Sequence, residues 1–302
     1  MNKATKTWLI VASSLIFAGI IFFTVAMSLI NWDFRKLSTT KYQTTTHEII
    51  DEFTNISINI DTADIEFFTT NESKTIAVST EYENAIHTVT VVENTLKIEI
   101  SDTRKWYEHI TLFSFVTPKI SIYLPCEEYQ KLSIISNTGD IKIPNKFKFS
   151  SIDITNDTGD VVNYASASDY IKINTSTGDV KIEKVTTKEI SVCVSTGDVR
   201  VIDVNCSSLV SSGNTGDVTL KNVIATENFR IERSTGDVEF ERCDASKIYI
   251  KTSTGDVDGS LLSEKIFVTK SSTGDIDIPR TSSGGICDII TSTGDIEVDL
   301  IP

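Results

Sequence analysis

Hydrophobic and polar residues alternate along most of this chain from residue 49 to its end, and many of the hydrophobic positions hold Ile or Val. Alternation with a period of two places one set of side chains on a single face of an extended strand. Side chains that branch at Cβ are stiff and suit that pleated geometry. The pattern therefore predicts an all-β protein made of many short strands.

A Thr-Gly-Asp turn separates these strands nine times, with a spacing of 19 or 20 residues. Its glycines are Gly139, Gly159, Gly178, Gly197, Gly216, Gly236, Gly255, Gly274 and Gly294. Apolar residues recur seven positions before and two positions after the glycines, in most repeats five positions before them, and four positions after them with Asn163 and Gly259 as exceptions. A fixed period with one turn chemistry indicates a supersecondary unit stacked on copies of itself.

Two arrangements fit such a repeat: successive antiparallel hairpins, or a parallel β-solenoid (β-helix-like) in which each 19–20-residue repeat is one coil. The solenoid is favoured because stacking places each position above its counterpart, which accounts for the identical triplets. We expect the nine turns to form one column with consecutive glycine Cα atoms roughly 5 Å apart. Val199 and Ile231 should then be buried. The eighth repeat is irregular between Lys265 and Thr273, where we expect a bulge or a longer turn.

The chain before residue 131 keeps the alternation but loses the regular turn, and Thr62-Ala63-Asp64 resembles a degenerate copy of it. We interpret residues 48–130 as irregular first coils with a loop, and residues 131–302 as the regular solenoid. The aromatic segment 104–118 interrupts the period. It is either a loop folded over the solenoid flank or an exposed patch for a partner or a membrane surface.

Residues 8–30 form a stretch of 23 residues without a charged side chain. At about 1.5 Å per residue, a helix of this length crosses a bilayer core of roughly 30 Å. We therefore predict a single transmembrane anchor in residues 1–30, followed by a polar tether in residues 31–47. A cleaved signal peptide is the alternative, with small residues at 26–28 as the cleavage site, although its apolar region would be unusually long.

The run ISIYLPCEEYQKLSIISNTGD at residues 120–140, followed by reiterated STGDV, resembles the bacterial putative adhesin family, a domain of unknown function built from β-strand repeats. The resemblance covers residues 48–302. It implies a solenoid-like β fold and no established enzyme activity. One anchor joined to one repeat domain is also the layout of members similar to the LiaG protein, which sit beside envelope-stress signalling systems. The resemblance thus implies an extracytoplasmic repeat domain.

Charge excludes one class of partner. The net charge is −14, and it becomes −16 without residues 1–30, which hold two lysines and no acidic residue. Such a surface does not attract nucleic acid, and it does not favour direct binding to anionic lipid or wall polymer. The five cysteines match no metal-ligand spacing, and Cys243 and Cys287 fall in apolar columns where we expect them to be buried.

Catalytic motifs are not found in the sequence. The three histidines, His47, His87 and His109, lie outside the regular repeats, and none belongs to a recognisable nucleophile or zinc motif. We predict no catalytic residue and no enzyme activity. A carbohydrate-active β-helix enzyme, which would use clustered acidic residues on one face, is kept as an alternative.

The acidic residues follow two columns on the outward face. One is the Asp of each turn, and the other, three residues after each glycine, changes from basic residues such as Arg200 to acidic ones in the last four repeats. Those repeats pair Asp237 with Glu239, Asp256 with Asp258, Asp275 with Asp277, and Asp295 with Glu297. They form either a solvated acidic face or a weak site for calcium or a similar hard cation. No other cofactor is expected.

The sequence thus predicts a membrane-anchored solenoid of the cell envelope that binds or acts as a scaffold without catalysis, as an accessory of envelope-stress signalling. Its partner would be an envelope protein or a polysaccharide. A surface adhesin is the main alternative.

Overall fold

The computed structural model describes residues 2–33, 42–71, 74–102 and 117–301 of the chain. Within these ranges it contains one helix, α1 (Lys3–Leu29), and 22 strands joined in one hydrogen-bonded sheet that winds into a solenoid. The predicted fold class, an all-β parallel solenoid preceded by one long apolar helix, is confirmed. Most of the aromatic segment 104–118, including His109, lies outside the described residues.

Helix α1 is apolar around its whole circumference. Its N-terminus is capped by Asn2, whose side-chain oxygen accepts a hydrogen bond from the backbone N–H of Ala4 at 3.3 Å. Large side chains along it are exposed, among them Trp8 at 73% and Phe22 at 76%. By length and composition, α1 is the one described helix that meets the requirements for crossing a membrane.

The regular part consists of coils, which we number 1 to 9 by the order of their Thr-Gly-Asp turns along the chain. Coils 1 to 7 contain β8 (Glu128–Thr138), β9 (Ile141–Ile143), β10 (Lys148–Thr158), β11 (Val161–Asn163), β12 (Ser166–Thr177), β13 (Val180–Glu183), β14 (Glu189–Thr196), β15 (Val199–Thr215), β16 (Val218–Thr235), β17 (Val238–Lys251) and β18 (Val257–Leu261). Equivalent residues face each other in parallel register, as Ile154 does with Ile134 and Ile173. Val199 and Ile231 are completely buried, as the columns predicted.

The two exceptions in the apolar columns have local explanations. Asn163 is buried, and its side chain donates to the carbonyl of Ala165 at 3.0 Å and accepts from the N–H of Ala165 at 3.2 Å. A buried amide satisfied in this way avoids most of its desolvation cost. At Gly259, an added Cβ would lie 2.3 Å from the ring of Phe240. The Phe240 side chain of the preceding coil therefore occupies the space that a side chain at residue 259 would need.

The N-terminal part joins one more coil to an antiparallel cap. Its strands are β1 (Tyr42–Ile49), β2 (Asn55–Thr62), β3 (Asp64–Thr70), β4 (Thr75–Tyr82), β5 (Ala85–Val92), β6 (Thr95–Asp102) and β7 (Lys119–Pro125). Strands β2 and β3 stack in parallel on coil 1 with Thr62 opposite Thr138, so Thr62-Ala63-Asp64 is indeed a copy of the turn. By contrast, β1, β4 and β5 pair antiparallel, and β1 overlaps the end of the predicted tether at residues 31–47.

A buried ionisable pair lies in this cap. Glu81 and His87 are 0% and 1% exposed, and Glu81 Oε2 lies 2.8 Å from His87 Nδ1. The same oxygen accepts the backbone N–H of His87, while Glu81 Oε1 accepts the hydroxyl of Thr45 at 2.6 Å. Burial lowers the pKa of His87 below 6.5 and outweighs the contact with Glu81, which acts in the opposite direction. The Glu81 carboxylate therefore ties three strands together.

The last two coils stack in reverse chain order. Coil 8 contains β19 (Lys265–Thr273) and β20 (Ile276–Asp277), and coil 9 contains β21 (Gly285–Thr293) and β22 (Ile296–Leu300). Strand β21 pairs with both β17 and β19, and β22 pairs with both β18 and β20. Coil 9 therefore lies between coil 7 and coil 8, and coil 8 forms the end of the solenoid. The expectation that all nine turns follow chain order is wrong for this pair.

Side-chain size explains why coil 9 can occupy the inner place. Coil 9 places Cys287, Ile289 and Val298 in the buried columns, whereas coil 8 has the polar Thr269 opposite Ile289. Coil 9 enters through two glycines, since a Cβ at Gly284 would lie 1.8 Å from the carbonyl oxygen of Glu264, and one at Gly285 would lie 1.9 Å from that of Ser246. Strand β19 pairs with β21 without a register shift, so the predicted bulge or longer turn between Lys265 and Thr273 is also wrong.

We predict that two matched substitutions distinguish the stacking orders. Ile289→Asp places an unpaired charge inside the stack and should lower the free energy of unfolding by roughly 4 kcal/mol or more. In a single copy of the chain, Thr269→Asp places the same charge at the solenoid end, where water reaches it, and should cost no more than about 1 kcal/mol. Equilibrium unfolding followed by circular dichroism measures both. Equal losses would contradict the exchanged order.

We also predict that the cap is sensitive to acid. Because the pKa of His87 is lowered in the folded protein, the unfolded chain binds a proton more readily, and stability should fall as the pH drops below 6.5. His87→Gln should remove part of this pH dependence, and His47→Gln, which removes a neighbour that also lowers the pKa of His87, should remove less of it. Melting temperatures across the pH range test this. An unchanged pH profile in His87→Gln would assign the effect to other groups.

Candidate functional site: the acidic face

The Asp of each Thr-Gly-Asp turn belongs to a continuous ladder of hydrogen bonds. Its backbone N–H donates to Oδ1 of the Asp in the adjacent coil over 2.8–3.0 Å, beginning with Asp140 N–H on Asp64 and ending with Asp275 N–H on Asp295. Each carboxylate that accepts in this ladder thus satisfies a backbone donor that the turn leaves without a carbonyl partner. Of the eight acidic residues in the candidate site, Asp237, Asp256 and Asp295 have this structural role.

The second acidic column is free of such backbone contacts. In spatial order it consists of Glu239, Asp258, Glu297 and Asp277, all exposed and in direct register. Neighbouring strands lie about 4.8 Å apart, so like charges face each other repeatedly and repel. Partial burial, reinforced by the charges of Asp256 and Glu297, raises the pKa of Asp258 above its usual value. The negative charge of the Asp258 carboxylate is therefore disfavoured at this position.

The basic half of the column neutralises the ladder at one position. Arg200 lies 3.2 Å from Asp179 and 2.8 Å from Asp198, so its guanidinium bridges two successive turns. Lys181 instead pairs with Glu183 at 2.7 Å within its own strand. Of these two cations, only Arg200 neutralises carboxylates of the Asp ladder, and the predicted change from neutralised to unneutralised carboxylates rests on it. Lys181 neutralises a carboxylate outside the ladder.

The eight acidic residues follow two lines along the coils instead of converging on one point. Within the part of the chain that the structure describes, no three His, Cys, Asp or Glu side chains are grouped as a metal site would require. A shallow depression does gather Glu239, Asp258 and Glu297 beside Gly259, with Glu241 and Asp299 at its margin. Calcium binding by this face stays a prediction, and the depression at Asp258 is where we place it.

A buried arginine in the regular coils was not identified by the sequence analysis. Arg233 is 4% exposed; its guanidinium donates to the hydroxyl of Ser211 at 3.0 Å and to the carbonyl of Glu232 at 3.2 Å. It fills the space left by Gly213, where a Cβ would lie 2.7 Å from the guanidinium. Burial lowers the pKa of Arg233. The sequence signal for this arrangement was the pair of small residues Ser211 and Gly213, which stand where most other coils have larger side chains.

We predict that calcium stabilises the full chain in detergent more than sodium chloride of equal ionic strength, because a divalent ion at the depression relieves the repulsion around Asp258. Asp258→Asn should raise the melting temperature without calcium, by the equivalent of roughly 0.5 kcal/mol, and should weaken the calcium response. Asp157→Asn, at an exposed position outside both columns, is the matched control. A full calcium response in Asp258→Asn would place the ion elsewhere.

Solved structures show the same fold at low sequence identity. A protein described as a putative adhesin from Bacteroides fragilis NCTC 9343 is 18% identical, with a TM-score of 0.50 over 85% of this chain and 97% of that one. A protein described as a putative lipid binding protein from Parabacteroides distasonis ATCC 8503 is 15% identical, with a TM-score of 0.53 over 85% and 97% of the two chains. At these identities the likeness concerns the fold alone.

A search of curated proteins found no match. The family model described as Toastrack DUF4097 matches residues 53–213 and 187–301, which together span the first parallel coil, most of the cap and all nine Thr-Gly-Asp turns. These matches cover well over half of the chain, which therefore belongs to the Toastrack DUF4097 family.

Proposed function

We propose that this chain is a non-catalytic binding or scaffold protein of the cell envelope, anchored in the membrane through residues 8–30 with its solenoid on the extracytoplasmic side. The narrower role that we propose is that of an accessory to envelope-stress signalling, which the resemblance to anchored members of the family suggested. Its partner would then be an envelope protein.

The observation that carries the proposal is the exposed apolar helix. Helix α1 has no charged side chain from Trp8 to its end at Leu29, and Phe17 and Phe22 are 66% and 76% exposed. A helix that is apolar on every side requires an apolar environment, and a bilayer supplies one. A helix of this kind joined to a solenoid with a charged outer surface supports an anchored protein that presents its repeat domain to water.

A surface adhesin is the second candidate. It is favoured by the structural neighbour described as a putative adhesin, while the other neighbour is described as a putative lipid binding protein. Both descriptions name binding functions and so agree with the proposal that the chain binds without catalysing. Purification from intact membranes with the bound partners distinguishes an accessory protein, which retains an envelope protein, from an adhesin. Turnover of a polysaccharide panel would instead support a carbohydrate-active enzyme.

We predict that a membrane-impermeant maleimide labels Cys193 in intact cells that express the full chain. Cys193 and Cys126 are exposed, whereas burial raises the pKa of Cys206 to about 11 and those of Cys243 and Cys287 to about 12, which makes these three thiols unreactive. In a Cys126→Ser chain, Cys193 should therefore account for the labelling, which is detected on a gel and by mass spectrometry.

The matched control is Cys126→Ser with Cys193→Ser, which should remain unlabelled. Asn2→Cys in that control background places a thiol before α1 and should react only after permeabilisation. Labelling of Asn2→Cys in intact cells, with protection of Cys193, would reverse the proposed orientation. A mature protein that begins after residue 28 would show that the helix is a cleaved signal peptide.

A further inference from the structure

Within the described residues, coil 8 at the C-terminal end of the solenoid is paired on one side only. Strand β19 pairs with β21 and β20 pairs with β22, and the opposite edges of both strands face away from the solenoid. Apolar side chains are exposed around this end, with Ile266 at 44%, Val268 at 54% and Ile276 at 42%. Phe267 and Ile278 pack against the core but are only partly buried. The surface of the solenoid is therefore partly apolar at this end.

Backbone groups at this end lack the partners that their counterparts have. In coil 7, the N–H groups of Gly255 and Val257 donate to coil 9 at 2.9 Å, and the Asp256 carboxylate accepts from coil 9 at 2.8 Å. Within the described residues, no coil follows the corresponding groups of Gly274, Asp275 and Ile276. An unpaired edge of this kind is a template for another strand, and soluble proteins generally cover it or pair it.

The other end of the solenoid carries the antiparallel cap. Below coil 1, the N–H of Asp64 donates to the carbonyl of Pro118 at 2.9 Å, and β3 is covered by β7, which in turn pairs antiparallel with β4. Within the described residues, the cap ends at β1, whose one strand partner is β4. The C-terminal end of one molecule would therefore meet an antiparallel cap in place of a parallel coil at the N-terminal end of another. A contact between two like ends is closed by a two-fold axis, whereas head-to-tail association would give open filaments.

We propose that the open end binds a second copy of this chain, coil 8 against coil 8, about a two-fold axis that passes near the Thr273-Gly274 turn. Such an axis sets β19 of one copy antiparallel to β20 of the other and joins their edges. It also places the exposed Lys270 of β19 opposite Asp277 of the second copy, so unlike charges meet. An axis through the middle of either strand would instead set β19 against β19 or β20 against β20 and lose this match.

The inward positions of the two copies also meet across this contact. Thr269 and Ser271 point inward on β19, and Ile276 and Ile278 continue the inward columns on the other side of the turn. With Lys270 opposite Asp277, the inward residues of one copy face those of the other, so the two cores become continuous across the axis. This proposal stands independently of the membrane orientation and partner proposed above.

The test is cross-linking between copies of the full chain in membranes, in a Cys126→Ser, Cys193→Ser background. Thr273→Cys lies beside the proposed axis and should form an intermolecular disulfide under mild oxidation. Thr254→Cys occupies the same exposed turn position in coil 7, two coil spacings or about 10 Å from the end in each copy, and should not cross-link. Helix-driven association or random collision would treat both positions alike.

Charge reversal provides the second measurement. Lys270→Glu and Asp277→Lys should each reduce cross-linking through Thr273→Cys by about fivefold, and the double reversal should restore it. Circular dichroism of each purified variant verifies that the solenoid is folded. Equal cross-linking of Thr273→Cys and Thr254→Cys, or single reversals without effect in a folded protein, would overturn the proposal. A different protein trapped at Thr273→Cys in place of a second copy would overturn it too.

Discussion

The close stacking of the Thr-Gly-Asp turns is the constraint on which the rest of the structure depends. Each glycine has a φ between +127° and +147° and lies so near the preceding turn that a Cβ would come within 2.0–2.2 Å of its carbonyl oxygen. No side chain fits there, and few residues adopt that backbone. Ala63 stands at the same turn position in the coil of β2 and β3, where its φ is not left-handed. The turn thereby fixes the register of every coil, which aligns both the apolar columns and the two lines of acidic residues.

The sequence predicts the coil but not the order of the coils. The period, the turn chemistry and the apolar columns are properties of one repeat. They are clear in the sequence because stacked coils require the same types of residue at the same positions. Near-identical coils can exchange places with little change in contacts, so the order depends on details such as Gly284 and Gly285. In four coils the chain bends again six residues after the glycine. The sequence did not predict this bend, because Lys184, Asp203, Asn222 and Arg242 adopt a left-handed φ there without being glycine.

In the candidate site, likewise, the sequence predicted the positions of the acidic residues but not their contacts. Counting charges located both acidic columns, because an outward position is readily read from the alternation. The pattern could not tell that the Asp ladder bonds to the backbone while Glu239, Asp258, Glu297 and Asp277 do not, since this depends on which atoms the turn leaves without partners. Carboxylates of equal formal charge therefore have different roles: one column bonds to the backbone of the turns, and the other does not. The buried pair of Glu81 and His87 was not predicted either, because it forms through antiparallel strand pairing in the cap, outside the repeat columns.

The exchanged order of coils 8 and 9 has a consequence for synthesis on the ribosome. Coils 1 to 7 can be added one at a time as the chain emerges, because each docks on a neighbour that is already in place. Coil 8 emerges next, yet the surface on which it packs is supplied by β21 and β22 of coil 9. Growth of the stack therefore pauses after coil 7, and the last two coils dock together once residues 285–300 have been made. A chain interrupted before that point exposes an unfinished end, which proteases and chaperones can recognise.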